Sequence, residues 1–329
     1  MSNRGGKIAP EFYQLEPIGI WKNRSASGAL HILTHPDFVQ IKLVEYYKAL
    51  AKNFDRRFEN IEYICQYMPL FHDGPRHKEL RKIAATHLRD RQDALQVFED
   101  EAVQIITTKL RQAGALDVIS DIVIPVMQKA ALAITGLDYF PGLIAILSGN
   151  NSLRATKKLD ETFGKIYDTA LARFPEESED KRAMRIVYAA LGSEPLGSTL
   201  ALSFEKMFSG VDDMKICDLN WTPNFPATGP DTAFRQCKHA PIDLAENAKS
   251  VKHIEVDFKP FLNDEGANHN HMFGVGAHAC LGRGLSLSLW QRVVDDMKIN
   301  PFKVRYMSSA EGTHKIFKYP SSICIEVIA

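Results

Sequence analysis

One stretch of this chain carries chemistry on its face. Phe273-Gly274-Val275-Gly276-Ala277-His278-Ala279-Cys280-Leu281-Gly282-Arg283-Gly284 sets a single thiol among four glycines, directly ahead of an amphipathic segment, Leu285–Lys298, that reads as a helix. Glycines let a backbone turn tightly and come close to a large flat ligand. Backbone N–H groups in the turn, and the positive end of the following helix, favour a thiolate over a thiol. A single accessible thiolate beside a flat surface suits axial ligation of haem iron, where its electron donation favours O–O cleavage. The other cysteines, Cys65, Cys217, Cys237 and Cys324, are scattered and lack CxxC spacing. They read as small buried hydrophobes, with neither a disulfide framework nor a zinc site indicated.

The loop resembles the haem-binding segment of the cytochrome P-450 family, F-x-x-G-x-x-x-C-x-G. Phe273, Gly276, Cys280 and Gly282 stand in register, and His278 lies where the family often has a partner for a haem propionate. A second segment, Asp73-Gly74-Pro75-Arg76-His77-Lys78-Glu79-Leu80-Arg81-Lys82, resembles the family's D-P-P-E-H-x-x-x-R helix. His77 and Arg81 are one helical turn apart and share a face. Alone, such a pair suits a solvated helix surface; beside the Cys280 loop, the resemblance implies that both hold propionates through charge-assisted hydrogen bonds. Phe234-Arg235 resembles the arginine that reaches a propionate from a strand, a match of one residue.

Two departures stand out. Tyr188-Ala189-Ala190-Leu191-Gly192-Ser193-Glu194-Pro195-Leu196 resembles the family's central helix over the haem, [AG]-G-x-[DE]-T, with Gly192 and Glu194 matched and Pro195 in place of the threonine. The resemblance implies Glu194 as distal acid or base, and Ser198, one turn on, as a hydroxyl that could act through water. Pro195 has no N–H, which frees the Leu191 carbonyl and predicts a kink in the helix with a local opening above the haem. The family's buried ExxR pair is missing between this helix and the Cys280 loop. Glu179-Asp180-Lys181-Arg182 spells the pattern too early and reads as a surface coincidence, and the arginine usual before the haem loop is absent from Phe258-Lys259-Pro260-Phe261-Leu262. Loss of a whole buried ion network can be neutral, whereas loss of one partner is not.

These residues need a scaffold to bring them together. Apolar periodicity predicts helices over Val39–Phe54, after Asp73-Gly74-Pro75, and over Asp93–Ala113, Leu116–Thr135, Asn151–Phe174, Ser178–Phe208 and Leu285–Lys298. Ala29–Thr34 reads as a strand ending at His35-Pro36-Asp37, and Phe302–Val327 as terminal strands. The proline-bearing chain between Asp212 and His271 reads as loops and short strands. The fold class expected is mainly α with minor β, a truncated cytochrome P-450-like fold in one domain, 1–329. It is short for the family, with the opening sheet and the substrate-covering helices the parts most reduced.

Composition sets bounds on function. Apolar residues make up 45% of 329 and charged residues 24%, which fits a globular protein rather than a disordered or fibrous one. Lys+Arg 40 balance Asp+Glu 40, so there is no net basic field for nucleic acid or an anionic membrane. The best apolar run, VISDIVIPVMQKAALAITGL, is interrupted by Asp121, Pro125, Gln128 and Lys129 and falls short of a membrane span. With no signal-peptide pattern at the N-terminus, a cytoplasmic location is expected.

Taken with the resemblance, this implies a soluble haem-thiolate oxidoreductase with haem b, a monooxygenase acting on a small-molecule or carrier-held substrate. Electrons would come from a ferredoxin or flavoprotein. Two alternatives stay open. One is an enzyme that uses peroxide, or a substrate's own oxygen function, and lacks the distal threonine; the other is a non-catalytic haem-binding or carrier-docking protein.

Overall fold

A computed structural model describes residues 13–15, 21–23, 25–36, 38–40, 43–147, 151–221, 232–237, 253–263, 268–312 and 319–329. In chain order the helices are α1 Ala26–Thr34, α2 Leu43–Asn53, α3 Glu59–Tyr67, α4 Gly74–Asp90, α5 Gln92–Lys109, α6 Ile124–Thr135, α7 Leu153–Arg173, α8 Glu179–Leu191, α9 Ser193–Phe208, α10 Pro260–Asn263 and α11 Arg283–Met297. The strands are β1 Tyr13–Leu15, β2 Trp21–Asn23, β3 Phe38–Gln40, β4 Gly114–Asp117, β5 Met214–Lys215, β6 Thr232–Cys237, β7 His253–Asp257, β8 Lys303–Ala310 and β9 Ser322–Ile328. They form a five-stranded sheet in the order β1-β2-β7-β6-β3 and a four-stranded sheet in the order β4-β9-β8-β5. The mainly helical class is as expected, and β8 and β9 are the terminal strands read from sequence. Among the described residues no helix is long and apolar enough to cross a membrane.

The helix expected from Val39 starts only at Leu43, because Phe38–Gln40 is β3, paired antiparallel with β6, and the sequence reading needs correction at three further places. Ala29–Thr34 is not a strand but the body of α1, because Ser25 caps the helix by accepting from the Gly28 N–H at 3.1 Å. Its buried apolar side chains, Ala29 and Ile32, are three apart, as on one helix face, a pattern that a six-residue apolar run is too short to reveal. The segment from Leu116 begins as strand, since Gly114–Asp117 pairs antiparallel with β9, and its helix starts later. There Ile119–Val123 is a π turn leading into α6. Pro125 cannot donate to the Asp121 carbonyl, and a wider local winding accommodates that loss. The third is the long helix expected over Ser178–Phe208, which breaks at Gly192 into α8 and α9.

Two large cores meet along that broken helix. α9 packs with α5, α6 and α11, where Leu200, Phe204, Phe208, Trp221 and Trp290 are buried together. α8 instead faces α2, α3, α4 and α7 through Met184, Ile186, Val187 and Ala190. A smaller core lies between α1 and the five-stranded sheet, with Ile32, Phe38, Ile254 and Val256 inside. The start of α8 is tied to α6 by Arg185, buried with its guanidinium 3.6 Å from the Phe174 ring centre. It donates to Glu177 Oε2 at 2.7 Å and to the Thr135 carbonyl at 2.5 Å. Arg182, of the early ExxR spelling, donates to the Pro175 carbonyl at 3.3 Å, while Glu179 is exposed.

The close approach of α6 and α9 depends on Gly197. A Cβ there would stand 2.2 Å from Met127 Sδ and 2.3 Å from its Cγ, and Met127 is itself buried. Gly197→Ala is therefore expected to destabilise the fold by about 1–3 kcal/mol through overpacking. About 1 kcal/mol of helix propensity acts in the opposite direction. Thermal unfolding should show a lowered midpoint; an unchanged or raised one would mean that α6 yields without strain.

Candidate haem-binding site

The Cys280 loop is shaped by its backbone before any side chain acts. A 3-10 turn over His269–Phe273 ends at Gly274, whose φ of +75° an L side chain rarely adopts, and Gly276 follows at +65°. A Cβ on Gly274 would also press on the His278 carbonyl at 3.2 Å. The loop closes when the Cys280 N–H donates to the Phe273 carbonyl at 2.7 Å, and α11 starts after its capping residue, Gly282. Phe273, half-buried, anchors the loop against the α5–α6–α9–α11 core.

Cys280 itself is exposed, yet burial is the largest influence on its thiol and pushes the pKa up. Backbone N–H groups of Gly282 and Arg283 and the charge of Arg81 work the other way, towards thiolate. The stable thiolate expected from the loop alone is thus opposed by desolvation, and a bound metal cation would reverse that balance. Of the remaining cysteines, Cys65 is buried as expected, Cys217 and Cys324 are only half-buried, and the side chain of Cys237 lies outside the described residues.

α4 supplies the next wall. Its first turn is entered through Asp73, whose Oδ2 accepts from the Gln40 N–H at 2.9 Å and whose Oδ1 lies 3.4 Å from His278 Nε2. One carboxylate thereby joins β3, α4 and the Cys280 loop. The buried His77 ring packs on His278 with centroids 4.1 Å apart, and Arg81 donates to the Ala279 carbonyl at 2.6 Å. Arg235, on β6, is buried nearby, and burial lowers its pKa to about 10, with Asp73 opposing. Burial first, then the charges of His77 and Arg235, hold His278 well below its usual range.

His77, Arg81, Arg235 and His278, scattered over more than 200 positions of sequence, therefore converge on one loop, with Asp73 as the carboxylate facing them. His77 Nε2 is buried without a hydrogen-bond partner. Two arginines and two histidine rings, one with an unsatisfied buried nitrogen, beside an exposed thiol fit an anionic ligand with carboxylates and a thiolate-binding metal, the properties of haem.

The central-helix residues are placed differently. Gly192 is the joint, so the chain breaks in the turn whose Leu191 carbonyl Pro195 cannot serve, and Pro195 falls in the first turn of α9, where no N–H is needed. Glu194, 3% exposed, accepts from the Gly142 N–H at 3.3 Å and from that of Ile144, and lies beside Tyr139 and Tyr319. Its backbone donors thus belong to the loop after α6. Ser198 is fully buried and donates to the Pro195 carbonyl at 2.9 Å, as does Thr199. Tyr188, given no role by the motif, donates to the Ala84 carbonyl at 3.1 Å and stacks on His87, so it faces α4. Spacing from a motif cannot show where a side chain turns, and only the tyrosine's helical position relative to Glu194 hinted at a different face.

Burial raises the Glu194 pKa, with the two N–H donors opposing. A carboxyl raised on folding contributes stability below its unfolded value, near 4.5, and loses it as pH rises through the folded value. The unfolding midpoint of Glu194→Gln should therefore gain on that of the parent as pH is raised from 4 towards 7. A difference that does not change with pH would mean that the carboxyl titrates normally.

Comparison with solved structures finds the same fold at low identity. CalO2 superposes with a TM-score of 0.70 at 15% identity, covering 96% of this chain and 93% of that one. P450BioI, solved in complex with an acyl carrier protein bearing hexadec-9Z-enoic acid, gives 0.68 at 13%, covering 96% and 94%. A thermophilic cytochrome P450 from Sulfolobus tokodaii gives 0.64 at 14%, covering 98% and 97%. No family sequence model matches the chain, and no curated protein matches it.

Proposed function

We infer, for a chain that has the cytochrome P450 fold, that the protein is a haem-thiolate oxidoreductase of monooxygenase type, built as one domain over 1–329, with haem b held against Cys280. The observation that carries this reading is the convergence of His77, Arg81, Arg235 and His278 on the loop of an exposed thiol. Bound there, haem supplies iron that activates oxygen, with the thiolate's electron donation favouring O–O cleavage.

The chain's own groups have distinct tasks. Cys280 provides the ligand sulfur, drawn towards thiolate by the Gly282 and Arg283 N–H groups and by Arg81. His77 and Arg81, one turn apart on α4, would hold a haem carboxylate, with Arg235 supplying positive charge from the sheet side and His278 a neutral ring donor from the loop. Phe273, Gly276 and Gly282 shape the loop that receives the flat face. Glu194, its pKa raised, holds a proton at pH values where an ordinary carboxylate has released it. A ferredoxin or flavoprotein would deliver electrons. The substrate is a small molecule, free or held by a carrier protein; P450BioI offers the precedent of a relative in this fold with an acyl carrier protein on it.

A second reading uses peroxide. Pro195 offers no hydroxyl, Ser198 donates its own to Pro195, and Glu194 is held by the loop after α6. That arrangement favours an oxidant that arrives already reduced and needs one proton moved between its oxygens.

The test is the visible spectrum of the reduced, CO-bound protein. A thiolate-type Soret band is expected, and an imidazole-type band or no haem uptake would overturn the assignment. Product formation with NADPH and surrogate redox proteins, set against hydrogen peroxide, then separates the two oxidants; neither reaction would leave the non-catalytic binder.

A further inference from the structure

Four side chains from separate parts of the chain close the end of α6. A helix leaves its last carbonyls without partners inside the helix, yet those from Leu132 to Gly136 are all served from outside. Arg91, between α4 and α5, donates to the Leu132 carbonyl at 3.1 Å and to the Ala133 carbonyl at 2.5 Å. His87 on α4 places Nε2 2.7 Å from the Ile134 carbonyl. Arg185 of α8 donates to Thr135 at 2.5 Å, and Arg173 of α7 to Gly136 at 2.8 Å. The three arginines keep their charge at any working pH. His87 is the member of the set that titrates near neutrality.

His87 is buried, and its ring stacks on Tyr188 of α8 with centroids 5.3 Å apart. Arg91 and Arg185, on the carbonyls either side of Ile134, flank it with two positive charges. Glu177, the carboxylate that faces it, is already held by Arg185 through both oxygens, at 2.5 and 2.7 Å. From Ala130 to Gly136, α6 carries no ionisable side chain. A proton on the ring would therefore add a third cation with no free carboxylate to meet it. Burial, the largest influence, lowers the His87 pKa; the Ile134 carbonyl and Glu177 oppose, and Arg185 and Arg91 lower it further.

We propose that the junction of α4, α6 and α8 is an acid-sensitive clasp, closed by neutral His87 on the Ile134 carbonyl and loosened when the ring takes up a proton. A ring that folding holds neutral contributes stability above its ordinary value, 6.5, and loses it as pH falls through the folded value. α4 also carries His77 and Arg81, so acid loosening speeds haem loss, a consequence that rests on the haem-thiolate reading.

The test is amide hydrogen exchange of the full chain at about pH 7.5 and about pH 5.5, across the ordinary histidine range, each peptide read against the same peptide from unfolded chain. Opening of the α4 and α6 ends should rise by up to about tenfold on acidification, the limit for one proton over about one unit below 6.5. The β8–β9 pair should keep its protection. In His87→Gln, whose amide N–H can still donate to Ile134 without carrying charge, protection should be the same at both pH values. Equal acid opening in parent and variant, no opening in the parent, or loss spreading equally to β8–β9 overturns the proposal. Should His87→Gln not fold, ring-proton titration of the parent decides: the histidine in contact with the Tyr188 ring must titrate below 6.5, and ordinary titration overturns the clasp. In haem-loaded protein, acid should speed loss of the Soret band more in the parent than in His87→Gln. Opening without that difference overturns the tie to haem alone, and absence of a thiolate-type band overturns the haem-thiolate reading with the clasp intact.

Discussion

Alanine in place of Cys280 is expected to abolish the thiolate-type Soret band of the reduced, CO-bound protein, together with any oxidation that depends on it. The effect is all or none because the sulfur is the ligand itself; a methyl group has no lone pair to offer iron. The loop should survive the change. Its closure depends on the Cys280 N–H bonded to the Phe273 carbonyl and on the left-handed glycines 274 and 276, none of which involves the thiol. Alanine at Cys65, Cys217, Cys237 or Cys324 should leave the band unchanged, although Cys65→Ala costs stability because that side chain is in the core beneath α3. A thiolate band retained in Cys280→Ala would place the ligand elsewhere and remove the central assignment.

Removing the α4 pair should be the next largest loss. His77→Ala and Arg81→Ala each delete a charge-assisted contact worth roughly 1.5–3 kcal/mol, which corresponds to about a tenfold to hundredfold weaker hold on haem. The two effects should not simply add. The His77 ring packs on His278 and Arg81 braces the Ala279 carbonyl, so both substitutions also loosen the same loop. Transfer of haem to an excess of apomyoglobin gives the release rate directly. The double variant should release haem far faster than the parent while its CO-bound band, where haem remains, keeps the thiolate position. Unchanged release would mean that the carboxylates are held elsewhere, with Arg235 and His278 the nearest remaining donors.

Legibility from sequence divided along physical lines. The α4 helix was readable because Asp73-Gly74-Pro75 punctuates its start and His77 and Arg81 keep helical spacing, both local properties. The Cys280 loop was readable for the same reason: positive φ demands glycine, and glycine is visible in one dimension. α1 was misread because a six-residue apolar run fits either a strand or a helix, and the Ser25 cap decides the matter with one hydrogen bond. Pro195 predicts a kink in the helix, but the full break at Gly192 and its consequence are decided by packing. Splitting the helix lets α8 and α9 serve two different cores, and it places Glu194 against the loop at 142–144, partners 50 or more positions away in sequence.

What the sequence by itself determined is the chemistry available, a thiol in a glycine turn ahead of a helix and a histidine–arginine pair one turn apart, because backbone torsions and helical periodicity are set by neighbouring residues. The tertiary structure alone decided who meets whom. It brought His278 to His77 and both His278 and Arg235 to Asp73, and it turned Glu194 and Ser198 to their own partners. Those outcomes depend on packing between elements far apart in the chain, where each side chain's direction follows from which face its helix must bury.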